Sequence, residues 1–300
     1  MTDSATVPGS PFRKAILMAG GSGSRLHPMT RVINKQLLPV YDKPLVYYPL
    51  SVIMLAGIRQ VLVISSNRDV PAFRELLGDG SQWGMRFEYA VQQEPRGIAE
   101  AFLVGEEFIA GEPVVLVLGD NIFYGQGLRE KLLVALGRDI GATVFAYPVR
   151  DPQRYGVVEF DEQGRAIAVW EKPRHSRSRY AITGLYFYDA QVTALARQLK
   201  PSLRGELEIT DINRWYLEQG RLHVERFGRG FAWLDCGTEH SLLQAANFVE
   251  MVQERQGFKI ACPEEVAYRM GFIDAAQLRQ LAGQFRNPYG EYLTEIAESG

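Results

Sequence analysis

The 300-residue sequence is poor in cysteine, with Cys236 and Cys262 alone. A disulfide framework is thereby excluded, and a reducing, cytoplasmic setting is expected. Long hydrophobic runs are missing too. The longest, such as Val114–Leu118, are strand-length and far short of a membrane span. Charge of one sign is nearly balanced, at −2 overall, so no basic field exists to hold a nucleic-acid backbone. Neither a nucleic acid nor a membrane is an expected partner. The opening MTDSATVPGSPF has no basic or apolar segment of the kind that directs secretion, and residues 1–13 are read as a disordered extension. No GxSxG elbow supports an esterase, and His27, His175, His223 and His240 show no metal-ligand spacing.

What is present is ordinary globular material, 46% hydrophobic and 23% charged, enough to bury a core without staples. Apolar runs at 14–19, 61–65, 114–118 and 142–147 read as buried strands. Helical spacing is expected over 48–56, stopped by Gly57, over 70–77 behind a candidate N-cap at Asp69, and over 98–109. This β-α-β-α alternation predicts a mainly parallel sheet covered by helices. Past residue 150 the pattern changes. Segments 156–160 and 166–170 flank the turn DEQG as a hairpin, with further strands at 181–188 and 231–234. Helices are expected at 239–254, 263–270, 274–282 and 289–298. The division is an α/β core over 14–238 and a helical C-terminal appendage over 239–300. Trp83, the Tyr47-Tyr48 pair and Cys236 are read as buried packing residues.

The first strand runs straight into Gly20-Gly21-Ser22-Gly23-Ser24-Arg25. Glycines at such a turn let backbone amides approach a bulky anion. The dinucleotide fingerprint fails, because Leu26 stands where its third glycine belongs. A GxxxxGK phosphate loop fails as well, since no lysine closes the turn. Arg25 and, ten residues on, Lys35 suit a polyphosphate that is gripped and released. The alternative is a tight turn chosen for packing. Asp120 and Asp235 each follow or end an apolar run, where ligands bind in open α/β sheets. Two carboxylates converging on polyphosphate are a usual way to hold Mg²⁺; each could instead cap a helix or turn. Glu171-Lys172-Pro173 closes another strand. A carboxylate suits sugar hydroxyls and a lysine suits a phosphate monoester, though an exposed ion pair would explain them too.

These residues carry a resemblance. KAILMAGGSGSRLHP at 14–28 and NKQLLPVYDKPLVYYP at 34–49 resemble the sugar-nucleotide pyrophosphorylases. The segments LGDGSQWG (77–84), LVLGDNIFYG (116–125), EKP (171–173), GELEITDIN (205–213) and WLDCGT (233–238) are similar to the glucose-1-phosphate thymidylyltransferase branch. The resemblance extends from Lys14 past Tyr292. It implies a Rossmann-like nucleotidyltransferase fold with a mixed, mostly parallel sheet. It implies transfer of a thymidylyl group from dTTP to glucose 1-phosphate, giving dTDP-glucose and pyrophosphate, a first step toward dTDP-deoxysugars such as dTDP-rhamnose. By position it assigns nucleotide binding to Gly20, Gly21, Gly23, Ser24, Arg25, Lys35, Gln36, Gln92 and Gly97. It assigns the sugar phosphate to Gly156, Glu171, Lys172, Ile182 and Arg204, and Mg²⁺ to Asp120 and Asp235. Arg25, Lys35, Lys172 and Asp120 carry the catalytic roles. A homotetramer with a dTDP-sugar feedback site at a subunit interface, near 114–124 and the helix from Glu239, is also implied. Ser24 and Cys236 stand where the family usually has threonine. A UTP-using pyrophosphorylase, an NAD-binding oxidoreductase and a sugar-nucleotide-binding regulator without activity are the alternatives.

Overall fold

The apolar runs at the head of the chain become the buried centre of a nine-stranded mixed sheet. The structure is a computed structural model that describes residues 10–21 and 23–299. Strand β1 (Lys14–Met18) lies between β2 (Gln60–Ser65) and β4 (Val114–Leu118), parallel to both, and β3 (Arg86–Val91) extends the parallel half beyond β2. Alternation along β1 feeds two cores, as strand geometry requires. Ala15 and Leu17 join one apolar cluster, while Ile16 and Met18 join the other. The first cluster is covered by α1 (Tyr47–Leu55), α2 (Val70–Leu77) and α3 (Leu128–Leu136). The second lies under Phe102 and α4 (Ile209–Glu218). Each fully buried aliphatic side chain contributes about 1.5–3 kcal/mol relative to exposure.

The antiparallel half begins where β9 (Tyr180–Tyr188) pairs with β4. The hairpin of β7 (Gly156–Phe160) and β8 (Ala166–Glu171) hangs from β9, and β6 (Ala142–Pro148) also pairs with β9. β10 (Leu222–Arg226) closes that side, parallel to β6. Outside this sheet, β5 (Asn121–Tyr124) and β11 (Ala232–Asp235) form a two-stranded antiparallel ribbon.

Helix α5 (Glu239–Gln256) starts from a capping box in which Thr238 and Ser241 exchange bonds. The three helices after it, α6 (Pro263–Arg269), α7 (Ala275–Ala282) and α8 (Pro288–Ser299), are not a free-standing unit. Met270, Phe272, Leu278 and Leu293 share one apolar cluster with Leu50 and Ile53 of α1 and with Trp83.

Several expectations are adjusted by this architecture. The helix expected over 98–109 is a short 3₁₀ turn, Ile98–Glu100, and two α segments, Ala101–Val104 and Glu106–Ile109, divided at Gly105. Asp69 stands at the N-cap of α2 but makes no cap bond, because its carboxylate is taken by Asn34, Ser66 and Arg68. Most of the expected N-terminal extension, residues 1–9, lies outside the described residues. Within them, Phe12 is buried edge-on against Phe187, so the packed chain starts before Lys14.

Candidate active site

Parallel strands end on the same side, and the site is assembled there. The glycine turn leaves β1, Asp120 follows β4 with Gly119 between, and Gln92 directly follows β3. Gly21 and Gly23 take positive φ, 99° and 60°, a conformation that glycine adopts without a Cβ penalty. The backbone thereby turns sharply enough to open a cleft of about 490 Å³. Gly20, Gly21, Arg25, Lys35, Gln36, Gln92 and Gly97 line it. Gly156, Glu171, Lys172 and Ile182 line it as well, with Asp120 and Asp235 also on its wall. Among the residues singled out in the sequence, Gly23, Ser24 and Arg204 do not line the cleft. Gly23 receives the Thr30 hydroxyl on its carbonyl, and Arg204 reaches the site through Glu171.

The cations are held by short-range order. Asn34 accepts from the Gln36 amide and donates to the Ala19 carbonyl and to Asp69. It fixes the 3₁₀ turn Lys35–Leu37 under the glycine turn, and Lys35 there pairs with Asp120. Gln36 donates to the Gly20 carbonyl, while its own buried Oε1 finds no donor among the described residues. Arg25 is exposed at the cleft, its guanidinium beside Gly237 and close enough to Asp235 to act on its charge.

Long-range pairing brings the two aspartates together. β11 runs antiparallel to β5, which sets Asp235 opposite Asn121, and the Cys236 amide donates to the Asp120 carbonyl at 3.0 Å. Both carboxylates are largely buried, 15% and 16% exposed. They respond differently. Burial by itself would raise Asp120, but the Lys35 ammonium and hydrogen bonds from Lys35 and Asn121 hold it below the usual carboxylate range. Asp235 is pushed up, first by burial and then by the charge of Asp120, with Lys35, Arg154 and Arg25 opposing. Its weak partners are Arg154 and the Tyr155 hydroxyl, each at 3.4 Å. Tyr155 is itself pushed up to about 12 by burial and by Asp235, and so keeps its proton.

This pair fits a hard divalent cation. Mg²⁺ is commonly held by one or two carboxylates and completes its shell with water and substrate phosphates. Two oxygen-donor groups side by side, one destabilised as an anion by the other, have the chemistry such a half-site would need. Among the described residues no group of three or more His, Cys, Asp or Glu forms a ready-made metal cage.

Around Glu171 three strands present neighbours. Glu171 pairs with Gly156 across the hairpin, and Ala181 pairs with Val157, which sets Gly156 beside Ile182. Glu171 accepts from Thr210 at 2.5 Å and from Arg204 at 3.0 Å, and lies 3.4 Å from Lys172. Lys172 has φ of 41°, in the left-handed region that costs a lysine about 1–3 kcal/mol. That reversal ends β8 and lets consecutive residues 171 and 172 both line the cleft, as the Pro173 signal implied. Arg204 is shared between Glu171, Glu206 and Glu208.

Sequence reading missed Asn121, Arg154, Tyr155 and Thr210, all of which line the cleft. Asn121 was within the segment LVLGDNIFYG and is buried. It donates to Asp120 at 2.9 Å and accepts from the Gly184 amide and the Trp233 indole.

The Nucleotidyl transferase family matches residues 14–252. The chain belongs to that family. It is 57% identical over 289 residues, 96% of this chain and 98% of the relative, to a glucose-1-phosphate thymidylyltransferase of Xanthomonas campestris pv. campestris. It is 56% identical to the enzyme of the same name from Neisseria meningitidis, covering 94% and 99% of the two chains. A crystal structure assigned as a glucose-1-phosphate thymidylyltransferase from Bacillus anthracis, in complex with sucrose, superimposes with a TM-score of 0.73 at 39% identity. It covers 78% of this chain and 94% of that one. A UDP-glucose pyrophosphorylase complexed with UDP-glucose shares the fold at a TM-score of 0.71, over 80% and 99% of the two chains, at 24% identity. The protein is therefore a nucleotidyltransferase of the glucose-1-phosphate thymidylyltransferase family, and the cleft at the strand ends is its candidate active site.

Proposed function

We propose that the protein transfers a thymidylyl group from dTTP to α-D-glucose 1-phosphate, forming dTDP-glucose and pyrophosphate with Mg²⁺ as cofactor. The observation that carries this reading is that one cleft is lined both by an anion-accepting glycine turn with Arg25 and Lys35 and by Glu171 with Lys172. The names of the relatives, glucose-1-phosphate thymidylyltransferases at 57% and 56% identity, point to the same substrates.

In this reading Gly20 and Gly21 present the turn to the triphosphate, Gly23 and Ser24 continue that turn outside the cleft wall, and Gln92 and Gly97 take the thymine. Gln36, bonded to the Gly20 carbonyl, stands beside the nucleotide at the turn. Glu171, Gly156 and Ile182 receive the glucose ring, and Lys172, with Arg204 behind Glu171, holds the monoester phosphate. A phosphate oxygen of glucose 1-phosphate attacks the α-phosphorus. The new P–O bond forms as the bond to the β-phosphate breaks, and pyrophosphate leaves with that electron pair. No general base is needed, because the attacking phosphate is already anionic near neutral pH. Arg25 meets charge growing on the α-phosphate and the leaving group, and Lys172 aligns the nucleophile. Asp120 and Asp235 would hold Mg²⁺, which when bound supplies charge neutralisation at the phosphates.

The product belongs at the head of dTDP-deoxysugar synthesis, of which dTDP-rhamnose is an example, in the cytoplasm. No described helix is long and apolar enough to cross a membrane. A homotetramer with a dTDP-sugar feedback site is proposed as well. It is supported by exposed Leu243 and Met251 on α5, 60% and 57% accessible. Sedimentation should give four chains per particle; a stable monomer would remove the interface site. The reaction itself is tested by pyrophosphate release from glucose 1-phosphate with Mg²⁺ and each of dTTP, UTP, ATP, CTP and GTP. Preference for dTTP supports the proposal. Turnover with UTP alone would move the enzyme to a uridylyl reaction, and silence with all five would leave a binding protein.

A further inference from the structure

Gln92 is buried at the end of β3, its backbone amide bonded to the Ser65 carbonyl. Its side-chain nitrogen donates to Glu100 Oε2 at 2.6 Å and to the Gly97 carbonyl at 3.3 Å. A carboxylate and a carbonyl only accept, so the orientation of the amide is dictated chemically: its NH₂ must face them. The carbonyl oxygen is thereby turned the other way, toward Gly20, where an added Cβ would stand 3.0 Å from Gln92 Oε1. Gly20, Gln92 and Gly97 all line the cleft. The partner geometry is rigid. Gly97 has φ of 101°, and a Cβ there would lie 2.5 Å from the Leu207 carbonyl oxygen. The Leu207 amide in turn donates to Arg96 at 2.6 Å. Glu100 is in the 3₁₀ turn that Gly97 precedes.

We propose that Glu100 is a specificity-determining positioning residue: it locks Gln92 so that the nucleotide pocket offers a hydrogen-bond acceptor and not a donor. An acceptor at that point suits a pyrimidine whose N3 carries hydrogen, as in thymine and uracil. It faces the lone pair of N3 in cytosine unfavourably. Glu100 touches no substrate and acts through Gln92 alone. The inference rests on the reading that Gln92 takes the base, and the test separates the two.

The experiment measures the dissociation constants of dUTP and dCTP, which share size and sugar and differ at the base edge, by calorimetry with Mg²⁺ on the full chain. Glu100→Leu removes the closer of the two acceptors and leaves only the Gly97 carbonyl, at 3.3 Å, to hold the amide. The dUTP-over-dCTP preference should fall by about tenfold, because the amide then turns more readily to meet either base. Glu100→Gln keeps a carbonyl oxygen for the Gln92 NH₂ and should hold the preference within about threefold of the unaltered protein. Gln92→Leu removes the acceptor itself and should abolish the preference. A Glu100→Leu protein with unchanged preference, or one that weakens both nucleotides equally, would overturn the role of Glu100. If Gln92→Leu also leaves the preference intact, the placement of the base at Gln92 fails with it. Should Glu100→Leu not fold, Glu100→Ala carries the same expectation and the same refutation.

Discussion

In the proposed mechanism Arg25 and Lys172 make different kinds of contribution, and the difference is measurable. Arg25 is exposed, and there it would meet a charge that grows during reaction. Arg25→Ala should therefore lower turnover by about 10²–10⁴, as the loss of a preorganised cation does, while thermal melting stays where it was. Pyrophosphate release and a melting curve on one sample check both halves. Near-normal turnover would remove Arg25 from the mechanism. Lys172 carries a cost in the fold, its φ of 41°. Replacement by glycine removes that cost and replacement by alanine keeps it. Lys172→Gly should be more stable than Lys172→Ala by about 1 kcal/mol. Both should raise the KM for glucose 1-phosphate by about tenfold with little change in the KM for dTTP. A rise confined to the nucleotide would put Lys172 beside the wrong substrate.

At the scale of elements, the site depends on a tie between the Lys35 turn and α2. Asp69 accepts from Asn34, Ser66 and Arg68. Burial opposes its ionisation, but those bonds and the Arg68 charge prevail and hold its carboxyl below the ordinary value of 3.8. Its stabilising effect is therefore complete above the unfolded value and lost as pH falls through the lower folded value. Asp69→Ala should cost about 1–3 kcal/mol at neutral pH by leaving the buried Asn34 amide short of a partner. The gap between the two melting temperatures should close below pH 3.8, and a gap that widens in acid would contradict this. Elements also show what a sequence discloses. Central strands announce themselves as unbroken apolar runs, because both faces are covered. The edge strands β3 (RFEYAV) and β10 (LHVER) carry charge on an open side and pass unnoticed by that criterion. The ribbon of β5 and β11 escapes for another reason. It pairs residues more than a hundred positions apart, so the meeting of Asp120 with Asp235 follows from no local pattern. The glycine turn, by contrast, is legible because its chemistry lies in consecutive residues. Asn121, Arg154 and Tyr155 become visible only when distant segments converge.

For the whole molecule, the C-terminal helices belong to the enzyme's core as much as to its periphery. Trp83, under 3% exposed, donates to buried Glu264 of α6, which also receives the Tyr289 hydroxyl. Removing residues 258–300 would strip this cover from α1 and leave Trp83, Leu50 and Ile53 without the C-terminal part of their apolar cluster. The shortened chain should lose its near-ultraviolet circular dichroism and bind ANS, while far-ultraviolet signal persists. A shortened chain with full activity and a sharp melt would show that the appendage is dispensable. In the proposed reaction one cleft joins a nucleotide to a sugar phosphate, and phosphorus NMR of the protein with Mg²⁺, dTTP and glucose 1-phosphate follows both reactants at once. The triphosphate and the monoester signals should decline together, replaced in equal measure by the coupled pair of a nucleotide sugar and the single line of pyrophosphate. Orthophosphate accumulating while glucose 1-phosphate remains intact would contradict the account.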